Sequence, residues 1–262
     1  MNQETKSSWR RDDLKNPHRA PDKRRRVQAM FSGIAGTYDL LNHLLSLNLD
    51  RRWRRRAVQL ARVQPGQSIL DLCCGTGDLS LEFARAQPDL AEIVGVDFAP
   101  PMLARAAQKT ARLCRSQKHD RCKTIALKWL CRDVERLDLG ENRFDCVSCA
   151  FGLRNLQNLS AALKQVYRML KSTGRLVILE FALPDNQFLA WAYACYFRLA
   201  LPVIGSIIAM DRNSAYHYLP ASVSTFDTAA QIEKLLGKIG FKNLHVEKLS
   251  AGAVLAFVAL KT

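Results

Sequence analysis

The run Ile69-Leu70-Asp71-Leu72-Cys73-Cys74-Gly75-Thr76-Gly77-Asp78 constrains this chain more than any other feature. It sets a short apolar strand, a glycine turn and a helix start in immediate succession, an order that belongs to α/β proteins with a parallel sheet. Gly75 and Gly77 let the backbone approach a ligand without Cβ interference, at the strand's carboxyl end where open sheets bind small molecules. A dinucleotide fingerprint would need a third glycine, but Asp78, Leu79 and Ser80 follow Gly77. An acid at the helix start is also a poor neighbour for a pyrophosphate.

The rest of the chain repeats the alternation. A second strand over 92–96 ends at Asp97, and a helix over 100–112 opens on Pro100 and Pro101. Strands follow at 125–130, 146–150 and 175–181, with a helix over 158–171 between the last two. A helix over 228–239, Gly240, a strand over 244–249, the turn Ser250-Ala251-Gly252 and a strand over 254–260 read as a closing antiparallel hairpin. This mostly parallel, seven-stranded α/β sheet with a terminal hairpin resembles the Rossmann-like fold of class I methyltransferases. Two insertions, 27–62 and 182–226, read as a helical cap over the sheet's carboxyl edge. In the first, Met30, Phe31, Ile34, Tyr38, Leu41, Leu44 and Leu45 recur at helical spacing. Residues 27–262 thus form one domain behind a mobile basic arm, 1–26, rich in charge and holding Pro17 and Pro21.

Charge names a partner rather than a fold. The chain carries 39 basic and 24 acidic residues, a net +15, which calls for an anionic neighbour, nucleic acid or a membrane surface. The excess is local: +5 in 1–26, +5 in 51–56 and +6 in 105–123, with a nearly neutral remainder. Eight cysteines are present, yet no CxxC pair or Cys/His spacing suits a metal, so reduced, mostly buried thiols of a cytoplasmic protein are expected. The first residues have no apolar core of signal type and include Glu4, Asp12 and Asp13. The stretch 188–210 is apolar and long enough to cross a bilayer. Arg198 near its middle would cost about 2.5–3.5 kcal/mol there, and Pro202 follows, so a pair of packed helices is the better reading.

Two further acids define a ligand. Asp97, at the end of the second strand, is placed to take both hydroxyls of a ribose. Asp133, just past the third strand, is placed for an adenine amino group, with the backbone of Val134 beside it. Glycine turn, ribose acid and adenine acid describe an adenosine without phosphates, and S-adenosylmethionine fits.

With those residues in place, the sequence resembles the ubiquinone/menaquinone biosynthesis C-methyltransferase family over about 27–261. The carriers are Met30-Phe31-Ser32-Gly33-Ile34-Ala35 with Tyr38-Asp39 and Asn42, then Leu70-Asp71-Leu72 with Gly75-Thr76-Gly77-Asp78, and Asp97 with Met102-Leu103. Beyond them stand Phe151-Gly152-Leu153-Arg154-Asn155, Gly174-Arg175-Leu176, Leu179-Glu180-Phe181, Leu201-Pro202, Ile204-Gly205-Ser206 and Tyr216 with Tyr218-Leu219. The resemblance implies cofactor contacts at Thr76, Asp97, Asp133 and Val134; Asp71, Gly75, Gly77, Phe98, Met102 and Ala150 complete that candidate set. It implies that Arg154 and Asn155 face the ring of a polyprenylated quinol, and it implies self-association as a homodimer. A guanidinium beside a ring hydroxyl would stabilise the phenolate and make the neighbouring carbon nucleophilic. A water held by Arg154, Asn155 or Asp78 is then expected to take the proton. Tyr38, Tyr193, Tyr196, Tyr216 and His217 are candidate pocket residues. Departures from the family pattern include His217 in place of arginine, Asp50 in place of histidine, and His43 in place of an acid.

The expected activity is C-methylation of demethylmenaquinol, with the ubiquinone-pathway benzoquinol as the alternative ring. A nucleic-acid methyltransferase is disfavoured. The amine-directed Asn/Asp-Pro-Pro-aromatic run is replaced by Ala150-Phe151-Gly152-Leu153, and no Pro-Cys or Thr-Cys nucleophile occurs. A non-catalytic cofactor-fold partner is disfavoured because the cofactor acids and Arg154-Asn155 are all present. The basic patches then fit peripheral contact with the inner face of an anionic membrane, where a prenyl tail resides.

Overall fold

The structure is a computed structural model that describes residues 9, 12–116, 125–184, 186, 195 and 215–262. Tyr193, Tyr196 and the apolar 188–210 stretch, apart from Cys195, lie outside the described residues, as do the side chain of Tyr216 and most of the basic run after Ser116. Seven strands form one sheet in the order β3-β2-β1-β4-β5-β7-β6. They are β1 (Ser68–Leu72), β2 (Glu92–Asp97), β3 (Ala126–Cys131), β4 (Phe144–Ala150), β5 (Leu170–Phe181), β6 (Lys242–Leu249) and β7 (Val254–Leu260). The first five are parallel, and β7 runs antiparallel to both β5 and β6, so a single strand is reversed. The order turns back at β1, between β2 and β4, and ligands of open sheets sit at such a point.

Eight helices are described: α1 (Lys23–Ile34), α2 (Tyr38–Leu45), α3 (Leu49–Ala61), α4 (Asp78–Ala86), α5 (Pro100–Ser116), α6 (Leu159–Met169), α7 (Ala215–Ser224) and α8 (Ala229–Ile239). The central strands β2, β1, β4, β5 and β7 are largely buried, which is why they read as near-continuous apolar runs, whereas the edge strands β3 and β6 are partly exposed. Leu70 and Leu72 of β1 join Val147, Cys149 and α6 in one core layer; Ile69 joins Ile93, Cys146, α3 and α4 in the other. Local signals set the ends. Asn158 accepts the Ala161 N–H at the start of α6, and Thr228 forms a reciprocal cap with Gln231 on α8. The expected helix over 158–171 stops at Met169 because Leu170, fully buried, pairs with Phe144 as the first residue of β5. The helix expected over 100–112 continues to Ser116.

Where the expected mobile arm is described, at Trp9 and over 12–26, it packs against the domain. Trp9 is buried and stacks on Tyr218 of α7 with ring centroids 4.6 Å apart, and Arg26 lies over the Trp9 ring. Ala20, Val27 and Met30 join them in a separate small core. Lys23 is buried although charged: its Nζ bonds the Leu156 carbonyl and lies 3.1 Å from His18 Nδ1, and burial pushes its pKa down to about 8. Composition hid this, because one tryptophan among nine basic residues finds its partner two hundred positions away.

Candidate active site

The glycine turn leaves β1 at the switch point. Gly75 has φ +55 and Gly77 φ +81, both in the left-handed region that favours glycine. They serve different ends. A Cβ on Gly75 would come only within 3.9 Å of Tyr38, so that backbone stays open to a ligand. A Cβ on Gly77 would lie 2.6 Å from Trp129 and 3.0 Å from Ala106, so its bareness permits α4 and β3 to pack. Sequence alone had assigned both glycines to the ligand.

Asp97 and Asp71 share carboxylate chemistry but not exposure to the cleft. Asp97 accepts the Gly75 and Ala99 N–H groups, each at 2.9 Å, so it ties the turn to the end of β2. Burial raises its pKa against those backbone bonds. Asp71 lies opposite Ser148 on β4, accepting from Ser80 Oγ at 2.6 Å and Ser148 Oγ at 2.8 Å. Its carboxylate therefore ties β1 to α4 and β4, and Asp71 also lines a small space at the turn beside Tyr38, Gly75 and Phe151. Burial pushes the Asp71 pKa up to about 6. A raised folded pKa favours the fold fully below the unfolded value near 3.8 and loses that advantage as pH rises through 6. Asp71→Asn removes the buried anion, keeps one acceptor oxygen for a serine hydroxyl and offers its amide N–H to the other serine oxygen. It should gain about 1–2 kcal/mol at pH 8 and almost nothing at pH 4 in urea melts; an equal effect at both pH values would contradict this reading.

The cofactor cleft continues along the strand ends. Phe98, Met102, Asp133, Val134, Ala150, Phe151, Gly152 and Asn155 line it beside Gly75 and Asp97. Apolar faces for a base, a buried ribose acid and an acid near the base edge fit an adenosine in chemistry. The enclosed space is only about 50 Å³, because Phe31 and Arg24 of α1 close over it. Arg24 Nη2 lies 3.0 Å from Asp133 Oδ2, the acid assigned to the adenine amino group. Adenosine entry therefore requires Arg24 to swing away. The pair is partly exposed and worth at most about 1 kcal/mol, so Arg24→Ala should tighten S-adenosylhomocysteine binding by up to about fivefold in calorimetry. Weaker binding would instead make Arg24 a ligand contact.

Beyond the cleft, α1, α2 and α3 roof a second, mostly apolar cavity of about 370 Å³, a size typical of small-molecule sites. The two spaces share Phe31, Tyr38 and Phe151. Phe151 has φ +58, an uncommon conformation for an aromatic residue, and stacks on Phe181 at 4.5 Å. Such strain persists where surrounding contacts enforce it. Gly152 must follow, since a Cβ there would lie 2.5 Å from that of Cys73. The turn delivers Arg154 to the cavity wall, 5% exposed. Arg154 Nη1 donates to Glu180 Oε1 at 2.5 Å and to the Phe151 carbonyl at 2.8 Å, and its Nε is buried with no partner among the described residues. Asn155 lines the cofactor cleft, donates to the Phe151 carbonyl, and accepts from the Tyr218 hydroxyl at 3.0 Å. Burial holds the Tyr38 and Tyr218 phenols above their usual range, hence protonated.

Where the two spaces meet near the glycine turn, charges form a network. Lys109 Nζ lies 2.7 Å from Asp39 and 2.9 Å from Thr76 Oγ1, and bonds Asp78. Arg54 bonds Asp50 and lies 3.7 Å from Asp78, while His43 Nδ1 meets Asp50 at 2.8 Å. Burial would raise the Asp78 pKa, but Arg54 and Lys109 outweigh it and the net shift is downward. An acid held between two cations is a poor proton acceptor itself, so Asp78 stays ionised and able to hold a water. Thr76 is likewise buried and committed to Asp39 and Lys109 through its hydroxyl. His217 is exposed and lines neither cavity. Arg54, Lys109, Glu180 and Tyr218 were not among the expected site residues; a basic run on a helix gives no sign that one member, Arg54, points inward.

Sheet order, glycine turn, the buried acid Asp97 at the end of β2 and the adjoining apolar cavity are those of a class I S-adenosylmethionine-dependent methyltransferase. Residues 19–261 match the profile of the ubiE/COQ5 methyltransferase family, and the chain belongs to it. It is similar to the ubiquinone/menaquinone biosynthesis C-methyltransferase UbiE of Geotalea uraniireducens, 38% identical over 92% of this chain and 98% of that one. It is also similar to the demethylmenaquinone methyltransferase of Thermus thermophilus, 41% identical over 85% and 96% of the two chains. In fold it matches a solved SAM-dependent methyltransferase of Thermotoga maritima with a TM-score of 0.58 at 16% identity, covering 89% of this chain and 99% of that one.

Proposed function

We propose that the protein transfers a methyl group from S-adenosylmethionine to a ring carbon of a polyprenylated quinol in menaquinone or ubiquinone biosynthesis. The observation that carries this is the apolar cavity abutting the cofactor cleft across Tyr38 and Phe151, with the buried Arg154 in its wall. Bound in the cleft, the cofactor supplies an electrophilic methyl on a sulfonium and departs as S-adenosylhomocysteine.

The chain's own residues do the rest. Phe31, Tyr38 and Phe151 exclude water from the passage between the spaces. Arg154, held in place by Glu180 and the Phe151 carbonyl, presents its guanidinium from the cavity wall to a ring oxygen and stabilises the phenolate that makes the adjacent carbon nucleophilic. Asn155 and Tyr218 fix the far side of that turn. The hydroxyl proton passes to water, and the proton lost from the methylated ring carbon restores aromaticity. An apolar wall with one guanidinium suits either a naphthoquinol or a benzoquinol; the demethylmenaquinol reading is favoured by the similarity to a demethylmenaquinone methyltransferase. Paired assays with demethylated naphthoquinol and benzoquinol precursors should give a higher kcat/KM for the former. A reversed order would assign the protein to the benzoquinol step.

A further inference from the structure

We infer that α2 and the turn into α3 form a docking surface for an anionic lipid bilayer, placed so that the apolar cavity opens onto it. The inference rests on the quinol reading above, because a bilayer is the solvent of a prenyl tail. Helix α2 is apolar on two sides. Tyr38, Leu41 and Leu45 line the cavity, while Leu40 and Leu44 are 60% and 43% exposed. Leu40 and Leu44 share one helical face, and Leu47, two residues past the end of α2, adds a third exposed leucine at 76%. Leu47 also belongs to the cavity wall, so the cavity reaches the surface at the most exposed leucine.

The backbone presents this residue at a cost. Leu47 has φ +51 and Asn48 φ +61, left-handed conformations that a leucine rarely adopts. Folding gains nothing from forcing a leucine into such a turn to leave its side chain in water. A contact outside the molecule would account for it. Arg51 and Arg52 follow directly on α3, both exposed and without an acidic partner among the described residues, whereas Arg54 and Arg56 on the same helix pair with Asp50 and Glu247. The only acid nearby on the turn, Asp50, is buried against Arg54, His43 and Ser46. The exposed face is thus leucine and arginine, the composition that lies at the headgroup boundary of anionic membranes. No helix among the described residues is long and apolar enough to cross a membrane.

The test uses the full chain in co-sedimentation with vesicles of equal parts phosphatidylglycerol and phosphatidylcholine, and with phosphatidylcholine alone. The wild type should prefer the anionic vesicles and lose that preference at 0.5 M salt, where the Debye length has fallen from about 30 Å at 0.01 M to well under about 10 Å. Arg51→Gln/Arg52→Gln should weaken anionic binding on the order of thirtyfold at low salt, and Leu40→Ser/Leu44→Ser should weaken it at every salt concentration. Both variants should keep wild-type turnover on a short-tailed, water-soluble quinol, an assay that tests the quinol reading independently of vesicles. Undiminished vesicle binding by both variants would overturn the proposal. So would a drop in melting temperature or loss of a dimer in ultracentrifugation caused by the leucine variant without weaker vesicle binding, since the stripe would then be covered by this chain or by a second copy.

Discussion

Arg154→Ala is expected to lower kcat by about 10²–10³ and to destabilise the fold by about 3–5 kcal/mol. Both effects come from one geometry. Glu180 is 1% exposed, and its carboxylate accepts from Arg154 Nη1, from the Arg154 backbone N–H and from the Phe181 N–H. Removing the guanidinium leaves that buried charge without its counter-ion, which costs far more than the intact pair contributes. The activity loss has a separate cause, because Arg154 is the cationic donor proposed to meet the quinol oxygen. The double variant Arg154→Met/Glu180→Leu separates them. It should recover part of the stability, since the apolar pair removes the unpaired buried charge while the Arg154 and Phe181 N–H groups lose their acceptor, yet remain as inactive as Arg154→Ala. Recovery of turnover alongside stability in stopped assays would show that Arg154 acts only by holding the turn.

Asp97→Ala should weaken S-adenosylhomocysteine binding by at least about a hundredfold, since a charge-assisted hydrogen bond is worth about 1.5–3 kcal/mol and the proposed ribose contact uses two. The Gly75 and Ala99 N–H groups would also lose their acceptor, freeing the glycine turn. Asp97→Asn keeps one acceptor oxygen and should fall between. The pH dependence follows from the upward shift. With the pKa raised by burial, Asp97 protonates at a higher pH than an ordinary carboxyl. Cofactor affinity in the wild type should therefore fall as pH drops through that raised value, and be constant above it. Calorimetry across pH 4–8 checks this, and an affinity that rises on acidification would place the ribose elsewhere.

Much of this architecture is readable from the chain because its cues are local. Parallel strands buried on both faces appear as short apolar runs, and the acids at strand ends follow them within a residue or two, so Asp97 and Asp133 come directly from the pattern. Features set by distant partners do not. Trp9 finds Tyr218, Arg154 finds Glu180, and Lys109 gathers Asp39, Thr76 and Asp78 across three elements. No spacing rule announces such pairs. The hydrogen bonds of Thr76, Asp71 and Asp78 were hidden for a related reason: no spacing shows that polar residues beside a glycine turn are already tied to Asp39, Lys109, Ser80 and Ser148. Gly77 teaches the same lesson from the other side, since Trp129, fifty residues on, decides why it is glycine.

The central claim is carbon methylation of a quinol ring by residues of this one chain. Its most direct test incubates the purified protein with methyl-labelled S-adenosylmethionine and a reduced, demethylated prenyl naphthoquinol, then locates the label by fragmentation mass spectrometry. The account predicts one labelled methyl on a ring carbon, formed by the wild type and reduced at least a hundredfold in Arg154→Met/Glu180→Leu. Label on a ring oxygen, or no transfer while S-adenosylhomocysteine still binds at the Asp97 site, would contradict it.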